Sequence, residues 1–453
     1  MADQGQSTER AQEEATSASP RGLDRRIEHV VILGANGTMG YGSGALFTRA
    51  APRVSFLARS KEKAEAGLAS AIAQVRSATV ARRVETGSYD DLEARLADAD
   101  LIFEAVAERL EVKRPLFERV DACRRSDAIV ATVTSGLSID ALAEGRSESF
   151  RRHFAGLHFF NPPNVIVGTE LVAGRATDPA ILEFLERYAA RELGREMVRV
   201  ADRPGFAGNR IGFKVLNEVA QLSEEHGPLL MDRLIGPYTG RALPPLRTID
   251  LVGWDVHRAI VENVYANAPD EAHASLALPA YMRTLIEAGV LGRKSGRGFF
   301  AKEGERRLVL DPKRMEHRPI EEIELPELRF IDEIAALHRV GRYREAMRCF
   351  AEAEGEHASL ARKVIAGYLS YALHRVGEVC EQLGGIDRIM AFGFNWAAPG
   401  LLLDTLGART CAAMMREAEL PIPPLLEQAL SSGRIETFMD PSITNQGRYF
   451  VAG

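Results

Sequence analysis

The sequence predicts an α/β domain followed by an all-α half built from two related helical domains. Three observations carry that prediction. An apolar, β-branched run at His29–Leu33 meets a glycine-rich turn and then a helix-like stretch. Further short apolar runs recur as far as Thr132. From Pro204 onward, apolar residues recur at helical spacing, and a pattern of aspartates repeats once.

The elements follow in order. His29-Val30-Val31-Ile32-Leu33 reads as a buried parallel strand. Gly34-Ala35-Asn36-Gly37-Thr38-Met39-Gly40 follows at once, then a helix over residues 41–50. Strand, glycine turn and helix make the opening of a Rossmann-type dinucleotide-binding domain. Its glycines let backbone approach a pyrophosphate, whose charge sits at the helix N-terminus. The alternative is a tight turn with no ligand. The spacing is G-x-x-G-x-x-G, one residue longer than the common G-x-G-x-x-G.

The second strand is Arg53-Val54-Ser55-Phe56-Leu57. An NAD-specific fold usually ends this strand with an acid for the ribose 2′-OH. Here the end reads Ala58-Arg59-Ser60-Lys61, two cations and a hydroxyl. That chemistry suits a 2′-phosphate, so NADP stands beside NAD as the expected cofactor. The alternative is that Arg59 stacks on adenine or faces water. Residues 100–106 read as a further strand, with a helix behind them ending near Arg124, and residues 128–132 as the next. Ligands in open α/β sheets bind at the carboxyl ends of strands, which places Glu108, Lys113 and Ser135 near a site.

His158-Phe159-Phe160-Asn161-Pro162 comes next, with Glu170 twelve residues after the histidine. A carboxylate can accept one ring N–H, fix the tautomer and stabilise the imidazolium. The other nitrogen then handles a substrate proton. A lone histidine is more often a satisfied core residue. The nucleotide signature upstream and the Asn209 helix start downstream reverse those odds.

The second half is read as helical. Phe213, Leu216, Val219 and Leu222 keep helical period. Asp232 pairs with Asp387 and Asp250 with Asp404, at offsets of 155 and 154 residues, which marks an internal duplication. The first copy carries Asn209 and the Gly292–Phe300 glycine loop. The second has Lys363 near the equivalent of Asn209 and no evident glycine loop, and reads as structural. The expected division is a disordered tail over 1–26, the nucleotide domain over 27–201, the first helical copy over 202–302, a charged, proline-bearing linker over 303–327, and the degenerate copy over 328–440.

Composition narrows the class. At 453 residues the chain has room for about two or three domains. Its 46% hydrophobic and 26% charged residues suit an ordinary globular protein, and a net charge of −6 gives no reason to expect nucleic acid. The four cysteines lie too far apart for a zinc site or disulfide framework, which fits a reducing cytoplasm. No apolar run is long enough to span a membrane, and the tail has no secretory core.

Together these motifs resemble the L-3-hydroxyacyl-CoA dehydrogenase family. The resemblance rests on the glycine turn with Met39, the 103–106 strand with Glu108 and Lys113, the Thr134-Ser135 turn, and the Gly156–Pro162 segment. Asp202-Arg203-Pro204-Gly205-Phe206 with Asn209-Arg210, and Gly292–Phe300, complete it, over roughly residues 29 to 301. It implies oxidation of a (3S)-3-hydroxyacyl-CoA in fatty-acid β-oxidation or related acyl-CoA metabolism. His158 and Glu170 would be the acid/base pair. Ser135 and Asn209 would hold the substrate oxygen. Gly34, Asn36, Gly37, Thr38, Met39, Gly40, Ala58 and Arg59 would bind the cofactor, with Glu108 and Lys113 at its nicotinamide end. It also implies a homodimer or a monomeric pseudo-dimer. The same duplicated helical architecture occurs in multifunctional fatty-acid oxidation enzymes, but this chain has no room for their hydratase domain, so a separate enoyl-CoA hydratase or thiolase is the expected partner. No metal site is expected.

Two departures fall near the cofactor. Val133 stands where the family commonly has Asn, and Gly136 where a second Ser is usual. Two other readings stay open. One is a dehydrogenase of a free or carrier-bound hydroxy acid. The other is a non-catalytic acyl-CoA or nucleotide-binding subunit. A basic pocket for the CoA phosphates, including Lys61 or Lys63, would favour the acyl-CoA reading.

Overall fold

The computed structural model describes residues 25–432, 437–440, 443 and 449. The predicted tail lies outside the described residues except for its last two. Of those, Arg25 is tied down, its guanidinium donating to the carbonyls of Asp100 and Asp127 at 2.6 Å. Among the described residues, no helix is long and apolar enough to cross a membrane.

An eight-stranded sheet forms the first half, in the order β3-β2-β1-β4-β5-β6-β7-β8. The strands are β1 (His29–Leu33), β2 (Arg53–Ala58), β3 (Val84–Ser88), β4 (Leu101–Glu104), β5 (Ile129–Thr132), β6 (Phe154–Phe159), β7 (Gly168–Ala173) and β8 (Glu196–Val200). The first six are parallel in the Rossmann order, and β7 runs antiparallel to β6. β1, β4 and β5 are buried along their whole length, because helices cover both faces. Strand order reverses between β1 and β4, which opens a crevice at their carboxyl ends.

Helices dominate the rest. Helix Gly208–His226 is buried on almost every side and runs against helix Glu356–His374. The aspartate repeat has a physical basis. Asp232 accepts the backbone N–H groups of Leu246 and Arg247, at the start of helix Pro245–Val252. Asp387 accepts that of Gly400, at the start of helix Pro399–Leu406. Asp250 accepts from Phe299 and Phe300, and Asp404 from Phe438 and Met439. The second copy thus has a counterpart to the end of the glycine loop, carried by different residues. Only backbone amides are needed there, so no side-chain signature survives in sequence. Lys363 faces solvent and takes no part in a site.

The two copies meet about a local twofold. Arg241 and Trp396, 155 residues apart like Asp232 and Asp387, form an antiparallel bridge. Ala242 N–H donates to Asn395, and Ala397 N–H to Gly240, at 3.3 and 2.6 Å.

The expected linker is a correction. Residues 303–327 are not a bare connection. β9 (Phe300–Glu303), β10 (Arg306–Asp311) and β11 (Glu316–Pro319) form an antiparallel sheet. Leu308, Val309 and Leu310 of its central strand are buried. Pro312 and Pro319 fall after or at the end of strands, where no ladder N–H is required, so they do not oppose the sheet.

Candidate active site

β6 and β7 set the candidate acid/base pair. Their register places His158 directly opposite Glu170, and side chains at paired positions share one face of the sheet. His158 Nδ1 lies 2.6 Å from Glu170 Oε2, with both residues buried. The other carboxylate oxygen, Oε1, accepts the backbone N–H groups of Ala207 and Gly208 at 3.0 and 2.8 Å. Those amides open helix Gly208–His226, whose N-terminal dipole favours a carboxylate. Phe160 and Phe206 wall the imidazole, with ring centroids 5.0 and 5.8 Å away.

The turn after β5 faces this pair. Glu108 accepts the Thr134 hydroxyl at 2.5 Å and the Ser135 N–H at 2.6 Å. From the helical half, Asn209 Nδ2 donates to the Ser135 carbonyl and Asn263 Nδ2 to the Gly136 carbonyl, each at 3.2 Å. Ser135, Asn209, Glu108, His158 and Glu170 are therefore linked through this turn and one helix start. Asn263 is missing from the sequence reading; it belongs to no motif, and only the fold brings it here. The Gly136 departure has a packing cause: a Cβ there would approach Asn263 Nδ2 to 3.0 Å and Gly205 N to 3.1 Å.

Lys113 is placed differently from the expectation. It does not line the cleft. Its ammonium is fully buried, 2.8 Å from both oxygens of Glu104 and 3.3 Å from Glu108. Glu104 also accepts the Thr132 hydroxyl and the Val106 N–H, at 2.5 and 2.6 Å. The pair's polar valences are thus satisfied underneath the site, which a buried ion pair requires. Glu104 is a second residue whose part the sequence does not reveal.

The glycine turn lies across the crevice. Gly34 has φ +83°, and a Cβ on it would fall 2.5 Å from the Ala105 carbonyl. A Cβ on Gly40 would fall 2.1 Å from the Gly34 carbonyl. Gly37 caps helix Thr38–Phe47 with no side-chain hydrogen bond, which leaves the helix start open to an anion. Thr38 and Met39 form its first turn. Gly34, Asn36, Gly37 and Arg59 line one cleft of about 560 Å³ with Tyr89, Val106 and Arg119. This shape and donor set fit a dinucleotide. Ala58 is fully buried, so Arg59 alone presents a side chain at the end of β2. Lys61 and Lys63 stand in the first turn of the next helix and are not among the residues that line this cleft.

The second helical copy backs the site. Phe394 packs edge-on to Phe160 at 5.6 Å. Burial pushes the Cys380 thiol up to about 12, and the nearby Glu170 charge adds to that shift.

Comparison with known proteins points to one family. Residues 29–203 match the family description "3-hydroxyacyl-CoA dehydrogenase, NAD binding domain", and residues 205–302 match "3-hydroxyacyl-CoA dehydrogenase, C-terminal domain". A probable 3-hydroxyacyl-CoA dehydrogenase of Bacillus subtilis is 32% identical over 81% of this chain, which spans only 46% of that relative's length. The 3-hydroxybutyryl-CoA dehydrogenase of Mycobacterium tuberculosis strain H37Rv is 30% identical over 60% of this chain and 98% of its own length. The solved 3-hydroxybutyryl-CoA dehydrogenase of Escherichia coli superposes over 90% of this chain and all of its own with a TM-score of 0.68, and its 23% identity shows the fold alone. The nucleotide-domain match, the helical-domain match and the shared fold place this chain in the 3-hydroxyacyl-CoA dehydrogenase family, with an NAD-binding domain at its start.

Proposed function

We propose that this protein interconverts (3S)-3-hydroxyacyl-CoA and 3-oxoacyl-CoA with a nicotinamide cofactor. The observation that carries the reading is the His158–Glu170 pair at 2.6 Å, with the second carboxylate oxygen held by two helix amides. Nδ1 is committed to Glu170, so Nε2 is the nitrogen left for the substrate. In the oxidative direction Nε2 accepts the C3 hydroxyl proton, and Glu170 stabilises the imidazolium that forms. In reduction the same nitrogen returns it. Bound nicotinamide supplies the hydride chemistry at C3. Ser135 and Asn209, joined at 3.2 Å, position the substrate oxygen. Glu108 holds their turn in place rather than touching the reacting atoms.

The remaining parts of the reading follow from the same family. The four cysteines are free, which suits a reducing compartment such as the cytoplasm. The paired helical copies cover within one chain the surface that single-copy relatives would use for a partner, which favours a monomeric pseudo-dimer. A separate hydratase and thiolase would supply and consume the substrate pair.

The test is acetoacetyl-CoA-dependent oxidation of NADH and of NADPH, with His158→Ala as control. Loss of a general base costs about 10²–10⁴-fold. Turnover that collapses in the variant supports the assignment. Absence of turnover with either cofactor, despite cofactor binding, overturns the acyl-CoA reading.

A further inference from the structure

The lining of the cofactor cleft holds three arginines, Arg59, Arg109 and Arg119, and no carboxylate. Arg109 is engaged by Glu111 at 2.5 Å. Arg119 donates to the Tyr89 carbonyl at 2.7 Å, which anchors one side of its fork. Arg59 makes no ion pair or side-chain hydrogen bond among the described residues, and it stands exposed at the rim.

Sheet register explains why this cation is uncompensated. Ala58 pairs with Ser88 at the carboxyl ends of β2 and β3. Ala58 is fully buried, so no acid projects from the position where a ribose 2′-OH would be held. Two acids close by in sequence, Asp90 and Glu62, are turned to local hydroxyls. Asp90 accepts the Ser88 hydroxyl at 3.3 Å, and Glu62 is held below its usual range chiefly by the Ser60 hydroxyl. Tyr89 lines the same cleft as Arg59 and Arg119, its phenol bonded to the Gly34 backbone. Its phenol is pushed up to about 12, first by burial and then by Glu104, against the pull of both guanidiniums. A neutral phenol beside two forked cations is a donor set for a phosphate monoester.

We propose that Arg59, with Arg119 and Tyr89, forms a seat for the ribose 2′-phosphate, so that the cleft takes NADP(H) in preference to NAD(H). The proposal rests on the dinucleotide reading of the cleft and is independent of the acyl group. The pyrophosphate would lie at the glycine turn, and the extra phosphate would complete the charge of Arg59. A guanidinium–phosphate contact at this kind of exposed rim is worth roughly tenfold in affinity, and it weakens as salt rises.

The experiment is calorimetric titration of the full chain with NADH and with NADPH, which differ only in the 2′-phosphate, in the absence of acyl-CoA. NADPH is expected to bind about tenfold or more tightly. Arg59→Ala is expected to bring the two affinities together, and Arg59→Glu to reverse their order. Arg59 is exposed, so both variants should fold, and their circular dichroism checks this. Equal affinities in the unmodified protein, or a preference that survives Arg59→Ala, would overturn the seat while leaving the dinucleotide reading intact. Binding of neither nucleotide would overturn both.

Discussion

The two helical copies share a framework and differ in what that framework holds. In each, one buried aspartate accepts the amides at a helix start, and a second catches a returning segment. Beyond that the copies diverge. The long helix of the first copy opens against Glu170 and sends Asn209 to Ser135. The long helix of the second copy opens on its own neighbour, where Ser359 and Arg362 bind Glu417. Backbone-directed carboxylates are retained in both because they define the fold. Side chains at the helix start differ between the copies, and only the first copy directs one toward the candidate site.

The largest expected effect sits at that helix start. Glu170→Gln should lower turnover by about 10²–10⁴-fold while leaving cofactor affinity close to normal, measured by steady-state kinetics beside calorimetry. An unchanged turnover would place the proton transfer elsewhere. Next come the matched aspartates. Asp250→Ala and Asp404→Ala each leave two amides without an acceptor, at a cost of on the order of 2–4 kcal/mol in denaturant unfolding. Asp250→Ala should be worse, because the buried Trp254 indole also donates to it at 2.7 Å. Equal losses would show that the copies are energetically as well as topologically equivalent.

The junction between copies gives a smaller effect. Arg241 is fully buried over the Trp396 ring, 4.4 Å from its centroid, and burial lowers its guanidinium to about 10. Two of its nitrogens have no hydrogen-bond partner. Arg241→Met keeps the volume and removes a costly charge, so stability should change by no more than about 1 kcal/mol. Arg241→Ala opens a cavity and should cost about 2–4 kcal/mol. A severe loss with Met would mean that the cation–π contact holds the copies together.

The smallest effect is an acid sensitivity at one pair of matched positions. His257, fully buried with Nε2 donating to Asn217 at 3.1 Å, has its pKa lowered to about 3 by burial. At the repeat offset the second copy has Cys411, which takes up no proton as pH falls. A folded value below the unfolded 6.5 means that the stability is present above pH 6.5 and is lost as pH falls toward 3. At pH 5.5 the loss is on the order of 1 kcal/mol, and His257→Asn should flatten that part of the curve. His338, lowered by burial to about 4, adds a similar slope from the second half.

Sequence made the first domain legible through its turns and apolar strands. β1 is read to the residue, and β2, β4 and β5 to within one or two, because buried parallel strands are continuous apolar runs. β3 is not, since Val84-Glu85-Thr86-Gly87-Ser88 carries little apolar signal at the sheet's edge. The His158–Glu170 spacing suggested a pair, and register explains it: a hairpin of two antiparallel strands sets them opposite. Glu104, Asn263 and the burial of Lys113 were not legible, because each depends on which strand end faces which helix. The strands over 303–319 were read as linker because prolines and charges outweighed a three-residue apolar run, Leu308–Leu310.

Glu170 has a consequence for timing. Its carboxylate is complete only when Ala207 and Gly208 reach it from the next domain. A growing chain that has folded only its first 200 residues already has the glycine turn. It does not have an oriented base. Domains fold in order as they are synthesised, so the ability to hold a nucleotide precedes the ability to move a proton. The His158–Glu170 pair is complete only once helix Gly208–His226, which also carries Asn209, has docked.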